Sequence, residues 1–424
     1  MARRRRTSRW VAVLASAGGL LAACSNTATP SATSDTVAAS TVPPSDDGSL
    51  LLGAVLPRGG VAPELGESMR AAVNLAVSEI NSIGGVLGEP VQIVLQEEGA
   101  TAADALVSVQ TLVQQGVDAI IGPTSSTTLL GTLGVTVENE VLTCSPTASA
   151  LSLDAYPDNG LLLRTVPSDS LQATALARVT EESGARTAFV AYLDDAYGRP
   201  FADVVESALR ANGTSVLGDA GFLADADSIE AAVATVVAAK PELVVVVADG
   251  VTGPALIAAV DEAVDGRAPL YVVNDAMRRP DAATARLTRD VLARITGVSP
   301  LAYPRSDEFL ADLRASDPEA TGLFAVNAYD CVNLIALAAQ AADSDNPFTV
   351  AASVPAVSEG GQTCRDFITC MTVMEQGRNV DYDGPDGVIA LDIEGAPSSA
   401  TFERFGFDAN GRDVTSGYLV VGSD

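Results

Sequence analysis

The sequence predicts an α/β protein of two doubly wound units, each a parallel sheet with helices on both faces. Three observations carry this. From Leu51 onward, short β-branched runs alternate with amphipathic stretches; Val244 to Val247 is wholly apolar, as suits a strand buried on both faces; and the alternation restarts after Arg164-Thr165-Val166-Pro167.

In the first unit the expected strands are Leu51 to Leu56, Val91 to Leu95, Ala119 to Gly122 and Val141 to Cys144. Between the first two, Met69, Ala72, Val73, Ala76, Val77 and Ile80 fall at helical spacing, and Gly84-Gly85 supplies a left-handed stop. The second unit has strands at Thr187 to Tyr192, Leu243 to Val247 and Leu270 to Val273. A helix capped near Asp227 or Ser228 carries Ile229, Val233, Val236 and Val237 on one face. Near Ile295 to Val298 the rhythm turns again, toward a long helix from about Ala325 to Ala342. Val388 to Asp392, Phe402 to Phe407 and Tyr418 to Val421 read as closing strands, with Asn410-Gly411 as a hairpin turn.

Ahead of these units, Arg3 to Arg6 and Arg9 precede the apolar run Val11 to Leu21 and small residues before Cys24, the pattern of a signal peptide. Leu21-Ala22-Ala23-Cys24 resembles the bacterial lipobox, which implies a diacylglycerol on the Cys24 thiol and attachment to the outer face of the cytoplasmic membrane. The paired arginines leave a twin-arginine export route open. Ser25 to Gly48 is rich in Ser, Thr, Ala and Pro, too poor in large apolar side chains to offset its ordering entropy, and reads as a flexible spacer. The expected divisions are therefore a leader over 1–23, a linker over 24–49, and folded chain from 50.

The net charge is −29, and cleavage before Cys24 would remove five arginines but none of the 54 acidic residues. Such acidity argues against nucleic acid as a partner. The chain has no histidine, which excludes a Ser-His-Asp or Cys-His enzyme and removes the commonest metal ligand. With no nucleophile motif and no phosphate-cradling glycine loop, neither an enzyme nor a cofactor is expected. Asp381, Asp383 and Asp386 have a spacing like a calcium loop, but Glu394 lies too far along to complete it; no metal is expected there. Cys364 and Cys370, close together in a polar insertion, are expected to be bridged. Cys144, ending an apolar strand, and Cys331, on an apolar helix, are compatible with buried thiols or with a second bridge.

Several segments resemble, in order, those of the branched-chain amino-acid-binding proteins of ABC importers. They are Pro57-Arg58-Gly59-Gly60, Ala76 to Asn81, Gly84 to Gly88, Gly122-Pro123-Thr124-Ser125-Ser126 and Ser145-Pro146-Thr147-Ala148-Ser149. After them come Arg164 to Asp169, Asp194 to Gly198, Tyr329-Asp330, Tyr382 to Gly387 and Phe407 to Gly411. The similarity covers essentially Leu50 to Asp424. It implies a type I periplasmic binding protein, two lobes joined by three hinge crossovers near Arg164 to Pro167, Thr296 to Pro300 and Gly384 to Val388. The lobes would be 50–165 with 300–385, and 166–299 with 386–424. The implied partners are an amino acid or similar small polar solute, an ABC permease and its ATPase; the protein itself would be a monomer. A ligand-sensing receptor component built from the same lobes is the alternative.

The resemblance also places the ligand. Ser126 matches a serine that holds the ligand carboxylate at a helix start, where it could equally cap the helix. Ala148 and Ser149 match an alanine backbone and a threonine hydroxyl on the ligand. Tyr197 matches a tyrosine that the second lobe presses onto it, the alternative being a ring that packs at the lobe edge, and Asp275 matches an acid facing the ammonium, the alternative being an exposed turn aspartate. Asp249, in the loop Ala248-Asp249-Gly250 where the family often has tyrosine, reads either as a contact to a polar ligand side chain or as a solvated loop residue. Leu65 stands where the family has an aromatic wall.

Overall fold

The computed structural model describes residues 46–58, 63–195, 197–278, 287–387 and 389–422. The predicted leader, Cys24 and nearly all of the spacer lie outside them. Among the described residues, no helix is long and apolar enough to cross a membrane.

Two separate sheets carry the fold. The first contains β1 (Leu51–Leu56), β2 (Gln92–Glu97), β3 (Ala119–Ile121), β4 (Leu142–Ser145) and β5 (Leu162–Arg164), in the order β2-β1-β3-β4-β5 and parallel throughout. The second begins with β6 (Thr187–Leu193), β7 (Ser215–Phe222), β8 (Leu243–Val247), β9 (Leu270–Val273) and β10 (Ile295–Pro300), ordered β7-β6-β8-β9-β10 and again parallel. A small pair, β11 (Gln362–Cys364) with β12 (Val380–Tyr382), stands apart. The closing hairpin, β13 (Ser399–Phe407) and β14 (Asp413–Gly422), then joins the second sheet antiparallel beside β10.

Each parallel set thus has the same winding, with a switch in strand direction of travel at β1/β3 and at β6/β8. Loops at the carboxyl ends of strands flanking such a switch open into a crevice, the usual place for a ligand in these sheets. The Gly122 to Ser126 loop follows β3. Tyr197 follows β6, and Asp249 follows β8.

Burial follows the strand patterns. All five residues of β8 are buried, and they divide between cores on the two faces of the second sheet. In the first unit the helix Ala325–Ala342 is apolar nearly all round and sits between the helix Pro63–Ser82 and the helix Pro347–Ser358. The helix Ala226–Ala239 begins slightly earlier than expected, because Asp225 rather than Asp227 or Ser228 caps it, accepting from Ser228 N at 2.9 Å.

The chain passes between sheets after Arg164, after Pro300 and before Ser399. The last passage differs from the expected Gly384 to Val388. Ile389 and Leu391 are buried in the first core, and the carbonyl of Gly395 accepts from Arg164 N at 2.8 Å, so the chain stays with the first sheet until about Pro397. The predicted strand Val388 to Asp392 is also absent: Val388 lies outside the described residues, and Leu391 makes only an isolated bridge with Pro397. Asp392 instead folds the segment into a turn by accepting from Glu394 N and Ala396 N.

Two pairs of cysteines are at disulfide distance. Cys364 and Cys370 are 1.96 Å apart at sulfur, as the sequence led one to expect. Cys144 and Cys331, which the sequence left open, are 2.06 Å apart and join the end of β4 to the helix Ala325–Ala342.

Candidate ligand-binding site

The Gly122 to Ser126 loop is shaped by backbone contact and one buried acid. Gly122 has a φ of +94°, and a Cβ there would lie 2.2 Å from the Val55 carbonyl oxygen, so only glycine lets the chain leave β3 this close to β1. Glu98, buried just beyond β2, accepts from Thr124 N at 3.1 Å and from the hydroxyls of Thr124 and Thr128 at 2.5 Å each. Removing it as Glu98→Ala strands these donors. The expected cost is about 2 kcal/mol in urea unfolding, with faster hydrogen exchange at the Thr124 amide; unchanged exchange would show that the loop does not depend on Glu98.

Ser125, not Ser126, caps the helix Ser126–Glu138, in a reciprocal capping box with Thr128. Ser126 is thereby released from the capping role that the sequence allowed it. Its Oγ accepts from Ala150 N at 3.2 Å, which brings the two first-sheet loops together. In the neighbouring loop Ala148 is fully buried, its N–H donating to Ser145 Oγ at 3.2 Å.

Ser149 leads to the centre of the site. Its carbonyl accepts from Asp169 N at 2.9 Å, and its hydroxyl favours the charged form of the Asp169 carboxyl. Asp169 opens the helix Asp169–Glu182 directly after the first passage between sheets; it is 2 % exposed, and its Oδ2 has no hydrogen-bond partner. Burial, reinforced by the nearby Asp275 charge, pushes its carboxyl up to about 8. Asp275 follows β9 on a short turn. Its Oδ1 accepts from Gln172 Nε2 at 2.8 Å, and burial raises its carboxyl as well. Arg278 pins that turn from behind, pairing with Glu403 at 2.5 Å and Asp413 at 3.0 Å on the closing hairpin.

Tyr197 closes the group. Its ring is 40 % exposed and stacks edge-on against Phe201 at 5.6 Å, while its hydroxyl faces Asn274. Burial of that hydroxyl, with the charges of Asp275 and Asp169, raises its pKa. The following Gly198 lets the chain turn into its helix, since a Cβ would lie 2.1 Å from the Leu193 carbonyl oxygen.

Of the six residues singled out by sequence, Ser149, Tyr197 and Asp275 meet around Asp169, and Ser126 and Ala148 lie on the adjoining loops. Asp249 is one loop away and acts as a turn former, its Oδ1 accepting from Val251 N at 2.7 Å and Thr252 N at 2.6 Å. Asp169, Gln172 and Asn274 were not singled out. Asp169 was legible as an acid opening a helix right after a restart in rhythm; nothing local marks the other two. Two hollows nearer the passages, one touching Asn327 and Asp386 and the other Arg164 and Asp392, contain none of the six.

What the cleft can do follows from its charge. Asp169 is buried and Asp275 near it only half-buried, and with Oδ2 of Asp169 unpartnered the burial favours the protonated form of its carboxyl.

The profile of the periplasmic binding protein family matches residues 50–395. The chain belongs to that family. As a solute-binding protein it is similar to the chemotactic signal transduction system substrate-binding protein BasB of Halobacterium salinarum, 26% identical over 392 residues, 88% of this chain and 91% of BasB. It is also similar to the Leu/Ile/Val-binding protein BraC3 of Rhizobium johnstonii, 31% identical over 183 residues, 42% of this chain and 49% of that protein. Among solved structures, the ABC transporter substrate-binding protein of Desulfitobacterium hafniense in complex with Leu superposes with a TM-score of 0.65 at 19% identity, covering 87% of this chain and 99% of that one. The substrate-binding protein LivJ of Streptococcus pneumoniae with isoleucine gives 0.61 at 19%, covering 88% and 100%. At such identities these two bear on the binding protein's fold alone.

Proposed function

We propose that this binding protein captures an α-amino acid between its two sheets and delivers it to an ABC permease with its ATPase. The observation that carries the reading is the Asp169 carboxylate, buried, with Oδ2 unpartnered, beside Asp275 and under Tyr197. In this assignment Asp169 and Asp275 receive the ligand ammonium, and Ser149 positions Asp169. Ser126 and the first N–H groups of its helix receive the carboxylate. Asp249 is left to its turn.

Capture works by hinged closure of the unit 50–165 with 300–398 against the unit 166–299 with 399–424. The ligand touches both only when they close, so it stabilises the closed form by that difference in affinity. The protein works as a monomer, without a cofactor or catalysis, tethered outside the cell membrane by a lipid on Cys24. The leader and the Leu21-Ala22-Ala23-Cys24 motif support the anchor.

Thermal melting of the purified protein, refolded to strip carried-over ligand, tests the reading against amino acids, amides, urea and polyamines. A ligand at 100 times its dissociation constant adds about 2.7 kcal/mol and shifts the melt by several degrees. The shift should vanish in Ser126→Ala. A panel without any shift would sink the amino-acid assignment.

Similarity to BasB over 91% of its length favours one second reading, a sensor whose closed form signals to a membrane receptor. Uptake of labelled ligand separates the two, since deletion of a sensor leaves uptake intact.

A further inference from the structure

Beyond the ammonium site, two more buried polar atoms lack partners at the strand ends of the second sheet. Asn274 directly follows β9 and is 0 % exposed. Its Oδ1 accepts from Ala248 N at 3.1 Å, which fixes the amide's orientation, and its Nδ2 turns toward the Tyr197 hydroxyl without closing a hydrogen bond. Thr252 follows β8, opens the helix Thr252–Ala263, is 6 % exposed, and its Oγ1 is equally unpartnered. A Cβ at the next residue, Gly253, would lie 2.6 Å from Met277 Sδ, so this helix start is packed against the turn that carries Asp275.

We propose that the ligand's side chain carries a neutral hydrogen-bonding group, a hydroxyl or a carboxamide, and that Asn274 Nδ2 donates to it. This rests on the amino-acid reading of the cleft and names the class of amino acid. An aliphatic side chain would leave the buried Asn274 N–H unsatisfied, whereas a polar one gives it the acceptor that it lacks. A side-chain carboxylate is excluded by charge, because Asp169 and Asp275 already stand close together there.

Isosteric pairs test this directly. Calorimetry should give L-threonine at least tenfold tighter than L-valine, and L-asparagine at least tenfold tighter than L-leucine. Asn274→Asp keeps the acceptor for Ala248 N while removing the donor, and should cut threonine and asparagine binding at least tenfold with a smaller effect on valine and leucine. Valine and leucine binding as tightly as their polar isosteres in the native protein would overturn the proposal and leave the amino-acid reading standing. If none of the four binds while a simple carboxylate such as benzoate does, the amino-acid reading falls and the proposal with it.

Discussion

On the proposed amino-acid reading, Asp169→Asn should lower affinity for the ligand at least about a hundredfold while stabilising the empty protein near pH 8. Both effects have one cause. The buried carboxyl, raised to about 8, holds a proton in the empty cleft at neutral pH, and an ammonium group must displace it. Affinity in the native protein therefore falls about tenfold for each pH unit below about 8, with one proton released per ligand, which calorimetry in buffers of different ionisation enthalpy measures.

The stability effect has the opposite direction in pH. Between the unfolded carboxyl value of 3.8 and the folded value of about 8, the native state holds a proton that the unfolded chain has lost. That contribution is complete below about pH 4 and disappears as the pH climbs through about 8. Asparagine carries no such proton, so urea unfolding of Asp169→Asn should lack this part of the pH slope and exceed the native stability at pH 8. Equal slopes in the two proteins would mean that Asp169 is ionised in the empty cleft.

The second large effect concerns the disulfides. Cys144 and Cys331 are 187 residues apart in sequence, and Cys364 and Cys370 only 6. Restricting the unfolded chain by loops of these lengths contributes about 5 kcal/mol for the first and about 2 kcal/mol for the second. The double replacement Cys144→Ala with Cys331→Ala should therefore lower the urea midpoint much further than Cys364→Ala with Cys370→Ala. A larger loss from the short bridge would refute the chain-entropy account.

Much of the architecture was legible because long periodic segments announce themselves. Leu243–Val247 and Ala325–Ala342 are found where the sequence places them, since an all-apolar run and a helix buried on most sides leave little choice of partner. Strand β5 has only three residues and shows no period, and β7 contains Gly218 and Asp219, which read as a turn. The apolar residues of Val388 to Asp392 suggest a strand, yet Ile389 and Leu391 are buried beside a turn, which satisfies the same burial without a ladder. Ser149, Tyr197 and Asp275, which the resemblance singles out, lie near Asp169. Asn274 is not singled out, because its significance lies in which of its two polar atoms is left over after Ala248 has taken the other.

The closing hairpin has a consequence for a chain that is made from one end. Strand β10 receives its outer neighbour, β13, only when residues 399–407 have emerged, and the first sheet is covered on one side by a helix that begins at Ala325. The second half is completed only after the last piece of the first, which ends before Ser399. A nascent chain stopped before Ser399 would present β10 as a bare edge, ready to pair with any extended segment nearby. The second sheet is therefore completed only by the last residues made, when the hairpin covers that edge.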